Sequence, residues 1–477
     1  MLEGLVSGGP SNGATEVRQP ASYFQLLHMA AGVPLHERLY QRVRELVVSG
    51  DLQHGARLPS SRSLASTLRM SRNSVLTAIS RLVADGLLET RKGSGVYVAY
   101  LGTHNARTEP PAGKLAINPI LPFTLGVPPI DIFPAKLWQK LQSRKWQNIP
   151  DGALYEGDPL GWVGLREAIA THVAMTRAIN CSWEQVVITS SIAAGIDLAV
   201  RSLGLVGHQI WMEDPGYSGA TRSLQYSGAQ LVPVPVDRLG LSVELGQQLA
   251  PQAKAAFVTP ACQFPTGFTM PPSRRRELLK WADETDAWIL EDDFDWYNAA
   301  DNLHLHPIAA KRGNRTIYVN SFNHILFTAL RVAYLIIPTG LIDQFAAVQF
   351  GVRGSSDIPS QMVLADFISG GHLDKHLRKA KTAHDERREV LERSVSVHLS
   401  NFLEPTGGGG SHINYALKNC TTERFFAICR KANVIVERMS QFRLDAHAPG
   451  QIMLGYAGFE THAIEQAVRR LGNALHN

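Results

Sequence analysis

Five polar clusters between residues 189 and 331 contain side chains that can transfer protons and bind anions. They read ThrSerSerIleAlaAlaGly at 189–195, GluAspProGlyTyr at 213–217, ThrProAlaCysGlnPheProThrGly at 259–267, GluAspAspPheAsp at 291–295 and SerPheAsnHisIleLeuPheThrAlaLeuArg at 321–331. Carboxylates and imidazole act as acids and bases, and hydroxyls and arginine donate to anions. Each residue alone also has a structural interpretation: Asp292 can cap a strand end, Arg331 can form an ion pair, and His324 can be a hydrogen-bonded histidine without chemistry.

The elements that must position these clusters are short apolar runs. The runs predict strands at 185–188, 209–212, 230–235, 255–258, 287–290, 316–319 and 334–337. Amphipathic stretches such as 274–284 lie between them. This alternation predicts an α/β fold with a mostly parallel, buried central sheet and helices on both faces. Ligands of such sheets bind beyond the carboxyl ends of the strands, where the polar clusters lie.

A second group of candidate residues lies between residues 58 and 98. A helix is expected at about 35–48, and the serine pair after Pro59 predicts the N-cap of a short helix. Met70 and Ser71 predict a turn, and a second helix begins at about Arg72. Its apolar residues are spaced for one buried stripe: Val75, Ala78, Ile79, Leu82 and Val83. The first turn is polar and basic, as in a helix-turn-helix whose second helix enters the major groove.

The following residues predict a β-hairpin with Arg91 and Lys92 at its tip, which suits contact with phosphates. Seven basic residues stand against two acids between residues 57 and 92, giving +5, equal to the formal net charge of the whole chain. The basic residues are Arg57, Arg62, Arg69, Arg72, Arg81, Arg91 and Lys92. A local basic surface is typical of nucleic-acid binding. The alternative is a small helical domain with a solvated basic face.

The order of helix, capped helix, polar-tipped helix and basic hairpin resembles the GntR family of winged-helix regulators, over roughly residues 35–100. The resemblance implies binding to double-stranded operator DNA. It also implies which residues contact the DNA: Arg62, Ser71, Arg72, Asn73, Ser74, Lys92 and Gly93.

The five polar clusters, in their order, resemble the fold-type-I aminotransferase domain, and the whole chain from Leu35 onward is similar to the MocR family. Members of that family join a GntR-like head to an aminotransferase-like domain. The resemblance implies a pyridoxal phosphate (PLP) site, which needs a Schiff-base lysine, an acid at the pyridine nitrogen, phosphate donors and a hydroxyl near the phenolic oxygen. The implied cofactor-binding positions are Asp292, His324, Arg331, Tyr217, Ser191 and Ser321.

Several of these positions depart from the family pattern. The family lysine aligns with His324, and the tyrosine of the fourth cluster is Phe294. The expected glycine and glutamine of the first cluster are Ser191 and Ala193, and a C-terminal arginine that holds substrate carboxylates in many relatives aligns with Met453. Histidine can act as a general base but forms no stable imine. We therefore expect a catalytically inactive domain in which any PLP is bound non-covalently.

A chain of 477 residues predicts more than one domain. The expected organisation is a disordered segment at 1–22, a winged helix-turn-helix domain at 23–100, a linker at 101–122 and an aminotransferase-like sensor and dimerisation domain at 123–477. The last of these includes a smaller C-terminal α+β subdomain. No apolar run reaches the roughly 20 residues of a membrane span, and no secretory signal is visible.

The four cysteines are scattered without a CxxC pair, which favours reduced thiols over a disulfide frame or a zinc site, so no metal is expected. The hypothesis is a cytoplasmic transcriptional regulator that forms a domain-swapped homodimer, because residues 155–166 resemble the family segment that reaches the partner's site. Its expected effector is a small amino compound or a vitamin B6 compound. The alternatives are a lysine-independent PLP or pyridoxamine phosphate enzyme with His324 as base, and a regulator that has lost PLP.

Overall fold

A computed structural model of the chain describes residues 33–48, 51–91, 93–99, 120–155, 157–298, 305–311, 315–352, 357–444 and 450–476. The chain divides into two units, Met1–Asn118 and Pro119–Asn477. The segment 1–22, Lys92 and all but the last three residues of the predicted linker lie outside the described residues. The disorder and linker assignments therefore stay predictions.

The N-terminal unit contains three helices followed by a hairpin. These are α1 (Leu35–Val48), α2 (Ser61–Thr67), α3 (Arg72–Ala84), β1 (Leu88–Arg91) and β2 (Gly95–Val98). The hydroxyl of Ser60 accepts from the backbone N–H of Ser63 at 3.2 Å, which confirms the predicted N-cap of α2. The stripe on α3 is buried as predicted except at Val83, which is half-buried. The two strands pair antiparallel, with Glu89 opposite Tyr97.

The C-terminal unit is built on an eight-stranded sheet in the order β3-β10-β9-β8-β7-β4-β5-β6. Its strands are β3 (Val186–Thr189), β4 (Gln209–Asp214), β5 (Gln230–Asp237), β6 (Gly240–Leu241), β7 (Ala255–Val258), β8 (Trp288–Asp292), β9 (Thr316–Ser321) and β10 (Ala333–Ile336). The central strands β9, β8, β7, β4 and β5 run parallel, while β10, β3 and β6 pair antiparallel. This confirms the predicted α/β class with a mostly parallel sheet.

Helices accompany this sheet and supply the apolar side chains that bury it. They are α4 (Ala135–Gln147), α5 (Val163–Arg177), α6 (Ile192–Ser202), α7 (Ser218–Tyr226), α8 (Val243–Leu249), α9 (Pro272–Thr285), α10 (Ile342–Val352), α11 (Ile358–Ser369) and α12 (His372–His398). Consecutive residues of the inner strands enter different core clusters, on opposite faces of the sheet. Ile289 packs in one cluster and Leu290 in another. Burial of both sheet faces explains why these strands read as continuous apolar runs.

A smaller antiparallel sheet follows, in the order β11-β12-β14-β13. Its elements are β11 (Leu403–Gly407), β12 (His412–Leu417), α13 (Thr422–Lys431), β13 (Glu437–Arg438), β14 (Gln451–Gly455) and α14 (Thr461–His476). The chain entering the C-terminal unit is anchored to this part, since the backbone N–H groups of Ile435 and Gly455 donate to the carbonyls of Pro122 and Phe123, each at 3.0 Å. Residues just after Phe123 thereby reach the edge of the main sheet's polar end.

Candidate functional site

The first turn of α3 presents polar side chains to solvent. The hydroxyl of Ser71 accepts from the backbone N–H of Ser74 at 3.0 Å and caps the helix. Arg72 and Asn73 in this turn are exposed, and so is Arg62 on α2. Gly93 lies exposed in the hairpin turn with a φ of +79°, a conformation that favours glycine. Six of the seven predicted DNA contacts thus fall on described residues, and each lies on or beside the first turn of α3, on α2 or in the hairpin tip.

The arginines of this unit differ in how far they are neutralised. Arg81 forms an ion pair with Glu37 and stacks over the Tyr40 ring, with its guanidinium carbon 4.1 Å from the ring centroid. Arg91 pairs with Glu89 at 2.6 Å. Among the described residues, the side chain of Arg72 makes one hydrogen bond, a 3.4 Å contact to the hydroxyl of Ser61. The basic charge available to a polyanion is therefore concentrated near the turn between α2 and α3, and is smaller than the count along the sequence.

A cavity of about 600 Å³ lies at the polar end of the main sheet. We call it the central cavity. Tyr217 after β4, Thr259 after β7, Asp292 at the end of β8 and His324 after β9 all line it. These residues come from the predicted clusters, and they converge because the carboxyl ends of parallel strands meet at one edge of a sheet.

Asp292 is a buried acid in the wall of the central cavity. Its side chain is 2% exposed, and its Oδ1 has no hydrogen-bond partner among the described residues. Burial, followed by the nearby carboxyls of Asp293 and Glu213, raises the pKa of Asp292 well above its ordinary value, against a backbone hydrogen bond from Phe294. A buried carboxyl with an unused oxygen is costly unless a donor meets it. The position therefore fits a cationic N–H donor supplied by a ligand.

Two other acids of the same cluster, Glu291 and Asp293, point elsewhere, because side chains of an extended chain alternate between faces. Glu291 accepts from the backbone N–H groups of Ile308 and Ala309 at 2.7 and 2.8 Å. Asp293 accepts a bidentate pair of bonds from Arg177 at 2.6 and 2.9 Å. Asp292 and Phe294, two residues apart, share the cavity side. The alternation separates one candidate ligand-binding acid from two structural ones.

Aromatic rings form a continuous array across the central cavity. The ring of Phe264 lies edge-on to Tyr217, Phe294 and Phe442, with centroid separations of 6.0, 6.2 and 5.1 Å. Phe294 in turn contacts His324 edge-to-face at 5.2 Å. Burial lowers the pKa of His324, and a backbone hydrogen bond with Gly126 acts in the opposite direction. His324 is therefore a neutral imidazole at neutral pH, flanked by a ring that carries no hydroxyl.

Two loops of the central cavity are tied together by Glu213. Its carboxylate accepts from the backbone N–H and the hydroxyl of Thr259 at 3.1 and 2.6 Å, and from the amide of Gln263 at 3.1 Å. Burial raises the pKa of Glu213 to about 7, against these hydrogen bonds. The contacts join the end of β4 to the loop after β7, the two segments whose Tyr217 and Phe264 rings contact each other in the cavity wall.

The remaining predicted cofactor-binding residues are not in the wall of the central cavity. Ser191 caps α6 by accepting from the backbone N–H of Ala194 at 3.1 Å, and its neighbour Ile192 lines the cavity. Ser321 is buried and lines a small recess that also borders Phe294 and His324. Arg331 is exposed, with a φ of +57°, and is absent from the cavity wall. Its assignment to a phosphate stays a prediction.

Sequence reasoning missed several wall residues. Thr124, Leu125 and Gly126 enter from the segment after the predicted linker. Arg222 of α7 and Ser411, Glu437, Gln441 and Phe442 of the small sheet and its connections complete the wall. Glu437 lies on a strand of only two residues, and Gln441 on a short 3-10 turn, Met439–Phe442. Neither element has a periodicity that sequence patterns can detect. Phe264 was visible within the third cluster, but its type suggested no role there.

The central cavity meets two requirements of PLP and lacks a third. Its volume accommodates the cofactor, and the unpaired Oδ1 of Asp292 suits a protonated pyridine nitrogen. None of the described residues in its wall is a lysine, so the wall offers no primary amine for an imine. The described residues contain no group of three or more metal-ligating side chains, and no described helix is long and apolar enough to cross a membrane. All four cysteines are unbonded.

Comparisons with known proteins agree with this division into two units. Residues 35–98 match the family model of bacterial regulatory proteins of the gntR family, and residues 137–471 match that of class I and II aminotransferases. An archaeal alanine:glyoxylate aminotransferase shares the fold, with a TM-score of 0.68 and 22% identity over 74% of this chain and 90% of the other. Class I and II aminotransferases are a PLP-binding family.

Two curated relatives share the whole arrangement. The probable rhizopine catabolism regulatory protein MocR of Rhizobium meliloti is 32% identical over 94% of this chain and 95% of the relative. The pyridoxine biosynthesis transcriptional regulator PdxR of Corynebacterium glutamicum is 29% identical over 94% of this chain and 97% of the relative. The chain therefore belongs to the MocR-type transcriptional regulators, in which a GntR DNA-binding domain is fused to a class I and II aminotransferase domain.

Proposed function

We propose that this regulator binds operator DNA through the turn between α2 and α3, and that its central cavity senses a ligand together with non-covalently bound PLP, without transamination. The observation that supports this most directly is the pairing of a retained acid with a missing amine. Asp292 keeps an unused buried oxygen, while His324 lines the same cavity and no described wall residue is a lysine. The cavity can therefore hold the pyridine ring through Asp292 without forming a covalent link to PLP.

Each cavity residue has a defined task in this proposal. Asp292 holds the proton on the pyridine nitrogen, and Tyr217 and Phe264 bound the space for the ring. The capped end of α6, with Ser191, and Ser321 with Arg331 are the candidates for the phosphate, because a helix N-terminus and a guanidinium both favour anions. Bound PLP supplies an aldehyde that reacts reversibly with amines. His324 stays neutral and offers a hydrogen bond or a base, but no imine.

Absorption spectroscopy with mass spectrometry tests the non-covalent assignment. Added PLP is expected to bind, to leave on dialysis and to give no pyridoxyl adduct at residue 324 after borohydride reduction. The His324→Lys variant is expected to gain an imine absorbance and a reduced adduct at that position, without necessarily gaining transamination, because Ser191, Ala193 and Met453 also differ from the family pattern. A stoichiometric pyridoxyl adduct on a cavity residue of the unmutated protein would overturn the assignment.

The proposal also includes a homodimer formed through the C-terminal unit, in the cytoplasm where operator DNA is accessible. Several apolar side chains are strongly exposed in this unit, among them Tyr155 in the segment expected to reach a partner and Leu154 just before it. Exposed apolar side chains grouped in one segment favour an interface. Sedimentation of the chain without residues 1–100 is expected to show a dimer, and a monomer would remove this part of the proposal.

The second candidate is a lysine-independent PLP or pyridoxamine phosphate enzyme. The placement of His324 supports it, since a buried imidazole with a lowered pKa at a ligand cavity is a competent base. Turnover of amines with PLP that is lost in His324→Asn would favour the enzyme. Absence of turnover together with ligand-dependent changes in operator binding favours the regulator.

A further inference from the structure

The small-sheet wall of the central cavity is acidic. Glu437 is the first residue of β13, lines the cavity and is half-buried. Burial raises the pKa of its carboxyl, and no charged group acts against that effect. Among the described residues Glu437 has neither a hydrogen bond nor an ion pair. A half-buried carboxylate without a partner is a position where an added cation gains more than it would at an open surface.

The strand next to Glu437 adds no positive charge. Met453 of β14 lies directly opposite Glu437 on one side and Asn414 of β12 on the other. Directly opposed residues of neighbouring strands project from the same face of a sheet. Asn414 donates to the carbonyl of Pro265 at 2.9 Å, so this face is directed to the loop that carries Phe264. Met453 itself is fully buried and absent from the cavity wall.

The arginines nearest in sequence are directed elsewhere or lie outside the wall. Arg438 stacks on Phe426 at 4.2 Å from the ring centroid, and Phe426 packs with the core of the small sheet. Arg443 follows the turn that carries Gln441 and Phe442, but it does not line the cavity. The single cation in the described wall is Arg222, which comes from α7 of the main sheet's side. The small-sheet side of the described wall therefore presents a carboxylate, an amide, a hydroxyl and a phenyl ring, from Glu437, Gln441, Ser411 and Phe442.

We propose that the central cavity selects a ligand whose end near the small sheet carries an ammonium group, held by Glu437, and disfavours one with a carboxylate there. The inference rests on the proposed function, because it takes the floor at Asp292 to hold a pyridine ring. A basic or neutral amine fits this wall, with one amino group at the cofactor aldehyde and a second cation at Glu437. A carboxylate in the same place would face Glu437 without a compensating cation from the small sheet.

Three reduced phosphopyridoxyl conjugates test the inference, made with 1,4-diaminobutane, butylamine and 4-aminobutyrate. They share the phosphate and ring and differ in a distal ammonium, methyl or carboxylate group. Titrations in a mildly alkaline buffer are expected to show the diaminobutane conjugate binding about tenfold tighter than the butylamine conjugate, the size of one charge-assisted hydrogen bond. The 4-aminobutyrate conjugate is expected to bind more weakly than the butylamine conjugate.

The Glu437→Gln variant is expected to lose most of the difference between the charged conjugates, while butylamine-conjugate binding changes little. Glu423→Gln, at an exposed position of α13, is the matched control and should keep the preference. Tightest binding of the 4-aminobutyrate conjugate, or an unchanged preference in Glu437→Gln, would overturn the inference. If PLP binds but the three conjugates bind equally well, the inference about Glu437 is overturned and the proposed function is not. Failure of PLP and all three conjugates to bind would also remove the sensor part of the proposed function, while operator binding is measured separately.

Discussion

The DNA-binding turn and the central cavity place their charged groups in opposite environments. Arg62 and Arg72 are exposed on a three-helix unit, whereas Asp292 is 2% exposed with one unpaired oxygen. In the first case the arginine charges are exposed to solvent, where water and salt screen them until a polyanion binds. In the second, burial disfavours the charged form of the carboxyl and leaves one oxygen unpaired, at a cost in stability that a ligand donor can relieve. The proposed function therefore predicts that the head binds operator DNA without an effector, and that a ligand stabilises the cavity.

The two regions also differ in how they depart from the family pattern. The motifs of the head are complete, including the serine caps of α2 and α3. In the proposed function Asp292 takes the role of the family acid, and His324 and Phe294 stand where the resemblance places an amine and a phenolic hydroxyl. The proposal therefore predicts a chain that uses DNA binding and ligand sensing without covalent chemistry.

The largest effect is expected from removing the exposed cations of the head. Arg62→Ala and Arg72→Ala should each weaken operator binding by about 1–3 kcal/mol if the side chain reads a base, and reduce the salt dependence by about one charge if it contacts a phosphate. Gel shifts at several salt concentrations measure both quantities. Arg81→Ala is the control, because Glu37 and Tyr40 already engage that guanidinium. Unchanged affinity in both single variants and the double variant would remove the DNA-contact assignment.

The next effect tests the cost of buried charge through pH. Burial raises the pKa of Glu291 from 4.5 to about 7. Because the pKa of Glu291 is higher in the folded state, its protonated carboxyl makes its full contribution to the free energy of unfolding below about pH 4.5. That contribution is lost as the pH rises through about 7, by about 3 kcal/mol. The free energy of unfolding of the wild type should therefore fall relative to that of Glu291→Gln between about pH 5 and pH 8. Glu284→Gln, on the exposed side of α9, should not change this dependence; a parallel pair of curves for wild type and Glu291→Gln would contradict the assignment.

Removing the charge at the cavity floor is expected to have a comparable or smaller effect. Asp292→Asn should weaken PLP binding by about 1.5–3 kcal/mol, the range for a hydrogen bond to a charged group. Fluorescence titration with PLP measures the change, and Asp283→Asn on the exposed face of α9 serves as the control. Equal affinities for wild type and Asp292→Asn would mean that the pyridine nitrogen does not face this acid.

The smallest effect concerns the missing hydroxyl. Phe294→Tyr should tighten PLP binding by about 1 kcal/mol, or about fivefold, if the added hydroxyl meets the phenolic oxygen. Phe442→Tyr, in the same cavity but on the small-sheet side, is the matched variant and should not bring this gain. Weaker binding in Phe294→Tyr would indicate that the ring contact with His324 matters more than the hydroxyl.

Sequence patterns predicted the strands of the main sheet well at their apolar ends and less well at their polar ends. The run at 255–258 matches β7, whereas β4, β8 and β9 extend two residues further, to Asp214, Asp292 and Ser321. Apolar periodicity stops where a strand becomes polar, yet backbone pairing continues, as between Glu213 and Val234. The candidate site residue Asp292 thus lies where a hydrophobicity argument ends the strand too early.

The sequence by itself determined the helix-turn-helix with its caps, the α/β class and the presence of Asp292, His324 and Phe294 at one polar edge. These features follow from local hydrogen bonding and from short-range periodicity, which depend only on residues that are close together in the sequence. Only the tertiary structure decided that Asp292 faces the cavity while Asp293 forms an ion pair with Arg177, and that Glu437 lines the same cavity. Those outcomes depend on contacts between residues more than a hundred positions apart, and on a two-residue strand that has no pattern of its own.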